Sequence, residues 1–243
     1  MTDTPAEAEK MAEPTTAPEA QASADEATKY PAEPSAEIKN APSSTARPVT
    51  LDDHFIIDPS KPLEELNTTT ATAFLAKDRR DPGRKLYALI SNPKIPVRMD
   101  VIDAIKGALL EGILSLVASG PVNWVPTRRK CMALIYERPL GVPVFDKDGK
   151  NLMRISEFDF PNIVIRPLIR AISELESRGV THRAINPSNV YFLDEDCQKL
   201  VLGDCVATPA AYGQPILYET IPNGFSVPDG RSQGNSSDDI YSL

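Results

Sequence analysis

The stretch His182-Arg183-Ala184-Ile185-Asn186-Pro187-Ser188-Asn189-Val190-Tyr191-Phe192 decides how the rest of the chain is read. A basic pair, an Asn-Pro turn and a β-branched and aromatic run follow one another, so a loop opens into a strand. Upstream, 161–178 places Ile165, Leu168 or Ile169, Ile172 and Leu175 on one helical face, and Gly179 follows as a C-terminal cap. Downstream, apolar runs at 189–193 and 199–202 flank Asp194-Glu195-Asp196, the pattern of a hairpin. The loop therefore lies between a long helix and a hairpin.

Toward the N-terminus, short clusters at 53–57, 72–76, 86–91 and 131–136 read as strands of one small antiparallel sheet, each bounded by turn-forming residues. Between the third and fourth, Ile102, Ile105, Leu109, Ile113 and Leu116 recur at spacings of three and four and predict a helix over about 99–118, ended by Gly120 and Pro121. From 203 to 237 the chain is rich in Gly, Pro, Ser and Asn and has little periodicity.

Of the 243 residues, 41% are hydrophobic and 25% charged, enough for one well-cored domain. Residues 1–50 differ: twelve alanines, seven of the 23 prolines, and nine acidic against four basic residues leave little apolar area to offset backbone ordering. This part is expected to be a disordered acidic tail, a spacer that also offers a docking segment for a protein partner. The formal charge of -8, with no basic stripe, argues against nucleic acid. Cys131, Cys197 and Cys205 are odd in number and scattered, which predicts neither disulfides nor a thiolate metal site and fits a reducing, cytoplasmic compartment. Neither a signal peptide nor a membrane segment is legible within 1–243.

HRAINPSNVYF resembles the catalytic loop of the protein kinase family, H-R-D-x-K-x-x-x-N. Other landmarks follow in family order: YALI at 87–90 resembles the V-A-I-K strand, LIYERPLG at 134–141 the hinge between lobes, and LGDCVA at 202–207 the D-F-G segment. Tyr218-Glu219 resembles the end of the activation segment, and 238–243 the start of the central helix of the C-terminal lobe. The resemblance implies an α+β, two-lobed fold: a tail over 1–50, a mainly β lobe over 51–136 and a helical lobe over 137–243. The chain stops at Leu243 inside that expected helix, so it reads as a fragment with an incomplete C-terminal lobe, and a membrane anchor after it stays open.

The resemblance also specifies what is missing. Phosphoryl transfer rests on positioning and charge neutralisation around Mg-ATP, yet 65–73, where glycines would let backbone approach phosphates, contains none. Ile90 stands at the strand lysine, with Lys85 and Lys94 four or five residues away as poor substitutes, and Ala184 replaces the catalytic-loop aspartate. Asn186 replaces the following lysine. Glu111 matches the helix glutamate that would hold the absent lysine. Asn189 and Asp204 match the family's magnesium ligands and leave a weak site for Mg-ATP. His182, Arg183, Glu219 and Asp239 match architectural residues, and Thr208 and Tyr212 are candidate regulatory phosphosites. Cys205, at the Phe of D-F-G, reads as a small buried hydrophobe. The expected function is a catalytically inactive regulatory or scaffolding module that binds a protein at its groove or tail. The alternative is a divergent enzyme that holds Mg-ATP through Asn189 and Asp204 and transfers a phosphoryl or nucleotidyl group.

Overall fold

The computed structural model describes residues 47–141, 144, 155–227, 231 and 233–243, all inside one compact unit spanning 36–243. The expected tail lies outside the described residues as far as residue 46. Its last residues belong to the fold: β1, Val49–Leu51, buries Val49 and pairs with β2, Phe55–Pro62.

The sheet continues through β3, Ala71–Asp78, β4, Leu86–Ser91, β5, Leu116–Trp124, and β6, Arg129–Glu137, in spatial order β1-β2-β3-β4-β6-β5 and antiparallel throughout. Side chains alternate along each strand, so the sheet has two buried faces. One face, with Leu86, Ala88, Ile90, Phe74 and Trp124, packs under β1 as the sheet curls on itself. The curl brings the two ends together: a Cβ at Gly120 of β5 would lie 2.7 Å from Leu51 Cδ1, so a larger residue there would displace the Leu51 side chain. The other face, with Tyr87, Leu89, Leu134 and Tyr136, shares a core with the helices and the 182–207 region.

The helix expected over 99–118 is a correction. Helix α1 is Met99–Ile105 only, and Gly107 and Gly112 follow in left-handed conformations at φ +73. Residues 112–114 then run beside a later strand at 200–202, with Leu114 N–H donating to Leu202 O and Leu202 N–H to Gly112 O. In β5, Leu116, Ala118, Gly120, Val122 and Trp124 are buried in strict alternation, a strand period where the shorter pattern looked helical. Pro121 sits within this strand at the end of the sheet order, where a missing N–H is tolerated.

The helical part holds closer to expectation. A π-helical turn, Pro161–Ile165, leads into helix α2, Arg166–Glu176, which buries Leu168, Ala171, Ile172 and Leu175. Gly179 follows at φ +67, and Val180 N–H donates to Leu175 O, closing the helix end. Strands β7, Val190–Phe192, and β8, Leu200–Leu202, form the expected hairpin. Short helices α3, Ile221–Gly224, and α4, Ser236–Tyr241, complete the described chain, α4 with a full capping box from Asn235 and Asp238. Among the described residues no helix is long and apolar enough to cross a membrane.

Candidate functional site

The loop 182–189 is held from beneath by α4. Asp239 is almost wholly buried, and its two carboxylate oxygens accept from the backbone N–H groups of His182 at 2.7 Å and Arg183 at 2.8 Å. Burial pushes the Asp239 carboxyl up, and those N–H groups pull against it. Arg183 has φ +56, and its Nη2 donates to both oxygens of Glu219, 3.2 and 2.9 Å away, with both side chains fully buried. Arg183 is thus paired with a carboxylate of its own chain.

His182 is also sealed in. Its Nδ1 accepts from Ala184 N–H, so the proton sits on Nε2 and donates to Gly203 O, 3.3 Å away. Burial first, and the Arg98 charge beside it, push its pKa down to about 3, so it is neutral near pH 7. The remaining lock is Arg98, which the sequence reading missed. At the start of α1, its guanidinium donates to His182 O at 3.0 Å, Cys205 O at 3.1 Å and Gln233 Oε1 at 3.0 Å, while its backbone N–H reaches Val206 O. One signal was available: a cation at a helix N-terminus opposes the helix dipole, so its placement calls for a tertiary partner.

The two expected metal ligands are adjacent but already engaged. Asn189 Nδ2 donates to Ala184 O and to Asp204 O, each at 2.8 Å. Asp204 Oδ1 accepts from the Tyr136 hydroxyl at 2.6 Å and from the N–H groups of Val206 and Ala207, and Ala207 N–H also reaches Oδ2. Burial pushes the Asp204 carboxyl up, and these donors pull it back. Tyr87 stacks on Tyr136 with ring centroids 5.6 Å apart. Burial raises both phenols well above their ordinary value, so both stay protonated donors.

The assignment of Ile90 to the strand-lysine position is off by one face. Ile90 packs in the core beneath β1, away from Asp204, whereas Tyr87 and Leu89 occupy the face toward it. The shift leaves the chemistry unchanged: Lys85 and Lys94 are exposed, and neither lines the cleft. Glu111 is a second correction. It lies beyond α1 in the connecting loop and makes an exposed ion pair with Arg170 of α2. Cys205 is a buried member of the core, its thiol pushed up to about 12 by burial.

A cavity of about 290 Å³ remains between the β2–β3 loop and the 184–189 loop. Ala184 lines it with its methyl where the family motif has a carboxylate, and no Lys or Arg lines it. The hinge stretch at 137–141, none of which lines this cavity, offers no free backbone donor. Glu137, Arg138, Leu140 and Gly141 donate their N–H groups to Ser115, Lys85, Leu193 and Phe192 carbonyls, and Pro139 has none. Among the described residues no group of three or more His, Cys, Asp or Glu side chains is arranged to hold a metal ion.

No protein-family model matches the chain, and no curated protein matches it. Solved structures do. Residues 1–466 of Rad53, a protein kinase solved in complex with AMP-PNP, match 74% of this chain and 45% of that one, at 19% identity and TM-score 0.54. A mutant of the Neurospora crassa PAN3 pseudokinase matches 56% of this chain and 34% of that one, at 13% identity and TM-score 0.43. The chain thus spans less than half the length of either. The architecture is a kinase-like α+β fold.

Proposed function

We propose that this chain carries a non-catalytic kinase-like domain that works as a regulatory or scaffolding binding module. One observation carries the reading: the Asp204 carboxylate is buried with its Oδ1 already held by the Tyr136 hydroxyl and the backbone N–H groups of Val206 and Ala207, and no Lys or Arg lines the cavity beside it. A Mg-nucleotide would have to bring its phosphate charges into a cavity that supplies no Lys or Arg to neutralise them. The saturated hinge removes the backbone donors that would grip a base edge. Ala184 removes the general base, which by itself lowers rate by orders of magnitude. The partner is a protein, met at the groove or through the acidic N-terminal stretch, and three reduced cysteines suit a cytoplasmic setting.

The competing reading, a divergent transferase holding Mg-ATP, draws on the contact between Asn189 and Asp204. Calorimetric titration of ATP with and without Mg²⁺ into the full chain separates the two. The module reading expects no heat at millimolar ATP, including in Tyr136→Phe, where Asp204 loses its hydroxyl donor. Mg²⁺-dependent binding abolished by Asp204→Asn would overturn it.

A further inference from the structure

We infer that the cavity under the β2–β3 loop binds a small, uncharged, hydroxyl-rich molecule of the polyol or monosaccharide class. The inference rests on the reading above, since it assigns a ligand to the cleft that the reading takes to be without nucleotide function. At about 290 Å³ the cavity lies near the lower end of ligand sites, which run roughly from 300 to 1,000 Å³.

Its lining selects by chemistry. Asp204 contributes a fixed carboxylate whose Oδ2 accepts only from Ala207 N–H, leaving acceptor capacity for a ligand hydroxyl. Above it, Asn67 is oriented because its Oδ1 accepts from Ala73 N–H at 2.8 Å, which commits the oxygen and leaves the amide NH₂ to donate. The hydroxyls of Thr69 and Thr208 line the same cavity and have no partner among the described residues. Two hydroxyls, one amide donor and one carboxylate acceptor match vicinal hydroxyl groups, which both donate and accept. An anionic ligand meets the Asp204 charge with no lysine or arginine to offset it. A purely apolar ligand would leave these groups unsatisfied.

Size is limited at the rim. A Cβ on Gly213 would lie 3.3 Å from Thr69 Oγ1, so the β2–β3 loop and the 207–219 segment are in contact where both line the cavity. A polypeptide would have to part the two segments to enter this cavity, so a protein partner at the groove would dock outside it, whereas a small molecule fits beneath.

The test is saturation-transfer NMR on the full chain with D-ribose and myo-inositol as probes, and Mg-ATP, inorganic phosphate and choline as comparisons. A direct binding readout is needed because polyols stabilise proteins by exclusion from the surface. The expected result is transfer to at least one polyol, with affinity lowered about tenfold in a Thr69→Val/Thr208→Val variant of unchanged unfolding midpoint. If that variant does not fold, the two single substitutions are read in its place. No transfer to either polyol, or transfer that ignores both substitutions, overturns the inference. Stronger binding of phosphate or choline overturns it by assigning a charged ligand. Mg-ATP binding lost in Asp204→Asn overturns both this inference and the non-nucleotide reading, whereas silence from polyols and ATP together overturns the polyol site alone.

Discussion

The two walls of the cleft have been treated differently. On the helical side, His182, Arg183, Asn189, Asp204, Glu219 and Asp239 all match the family pattern, and each is buried. On the sheet side, glycines give way to Asn-Thr-Thr-Thr at 67–70, and the face toward Asp204 carries Tyr87, Leu89 and Tyr136. The retained residues have partners within the chain: Asp239 holds two backbone N–H groups, Asn189 holds two carbonyls, and Arg183 holds Glu219. The replaced ones are those whose partners would be phosphate oxygens or a substrate hydroxyl. Asn189 and Asp204, which match the family's metal ligands, are among the retained residues, and both are held by hydrogen bonds within the chain.

Breaking the helical wall should have the largest effect. Arg183→Ala leaves Glu219 charged, buried and unpaired, and should lower the unfolding free energy by about 3–5 kcal/mol in urea titrations. Replacing both residues with apolar ones of similar volume should recover much of that loss. Equal loss in the double variant would mean that the guanidinium matters for something besides its ion pair.

Arg98→Met tests the connection between the walls. It strands the carbonyls of His182 and Cys205, and should cost about 1–3 kcal/mol. Amide hydrogen exchange should quicken at 181–183 and 204–206 together. Faster exchange in α1 alone would reduce Arg98 to a local support.

A smaller effect is the pH dependence set by His182. Its folded pKa of about 3 lies below the ordinary 6.5, so the unfolded chain binds the proton more readily between those values. Stability should therefore rise with pH across that window, by about 1.4 kcal/mol for each pH unit from this group, and level off above 6.5. Asp204 and Asp239 act in the opposite sense: their folded pKa values are raised, so each contribution weakens as pH climbs past the ordinary carboxyl value. The histidine slope is clearest toward the upper end of the window, and His182→Gln should flatten it there. An unchanged slope would mean that the ring takes up its proton inside the fold. The smallest effect is expected from Glu111→Gln, under about 0.5 kcal/mol, because its ion pair with Arg170 is exposed on both sides.

The loop, the helix before it and the hairpin after it could be read directly from residues 161–202, because each is a local pattern with a backbone period or a turn residue behind it. The helix over 99–118 failed for an instructive reason. Ile113 and Leu116 are spaced like a helix face, but they are buried by β8 and by the sheet respectively, and Gly107 and Gly112 have already turned the chain. Apolar spacing records that residues are buried without recording what buries them. The one-face error at Ile90 has a related cause: a motif can be laid on a strand one residue off, and period-two alternation then turns every side chain to the opposite side.

Composition and motif order alone carried the kinase-like landmarks, the glycine-free stretch at 65–73 and Ala184 at the loop aspartate position. These are statements about which residue types are present and in what sequence. The folded chain decided which of them meet: Tyr136 with Asp204 across 68 positions, Arg98 with Cys205 across 107, and Arg183 with Glu219 across 36. Such pairings carry no local period, since they depend on where a curled sheet and a capped helix bring distant segments. The buried carboxylates take the donors that the tertiary structure brings within reach, because remaining unpaired in a low-dielectric interior is costly.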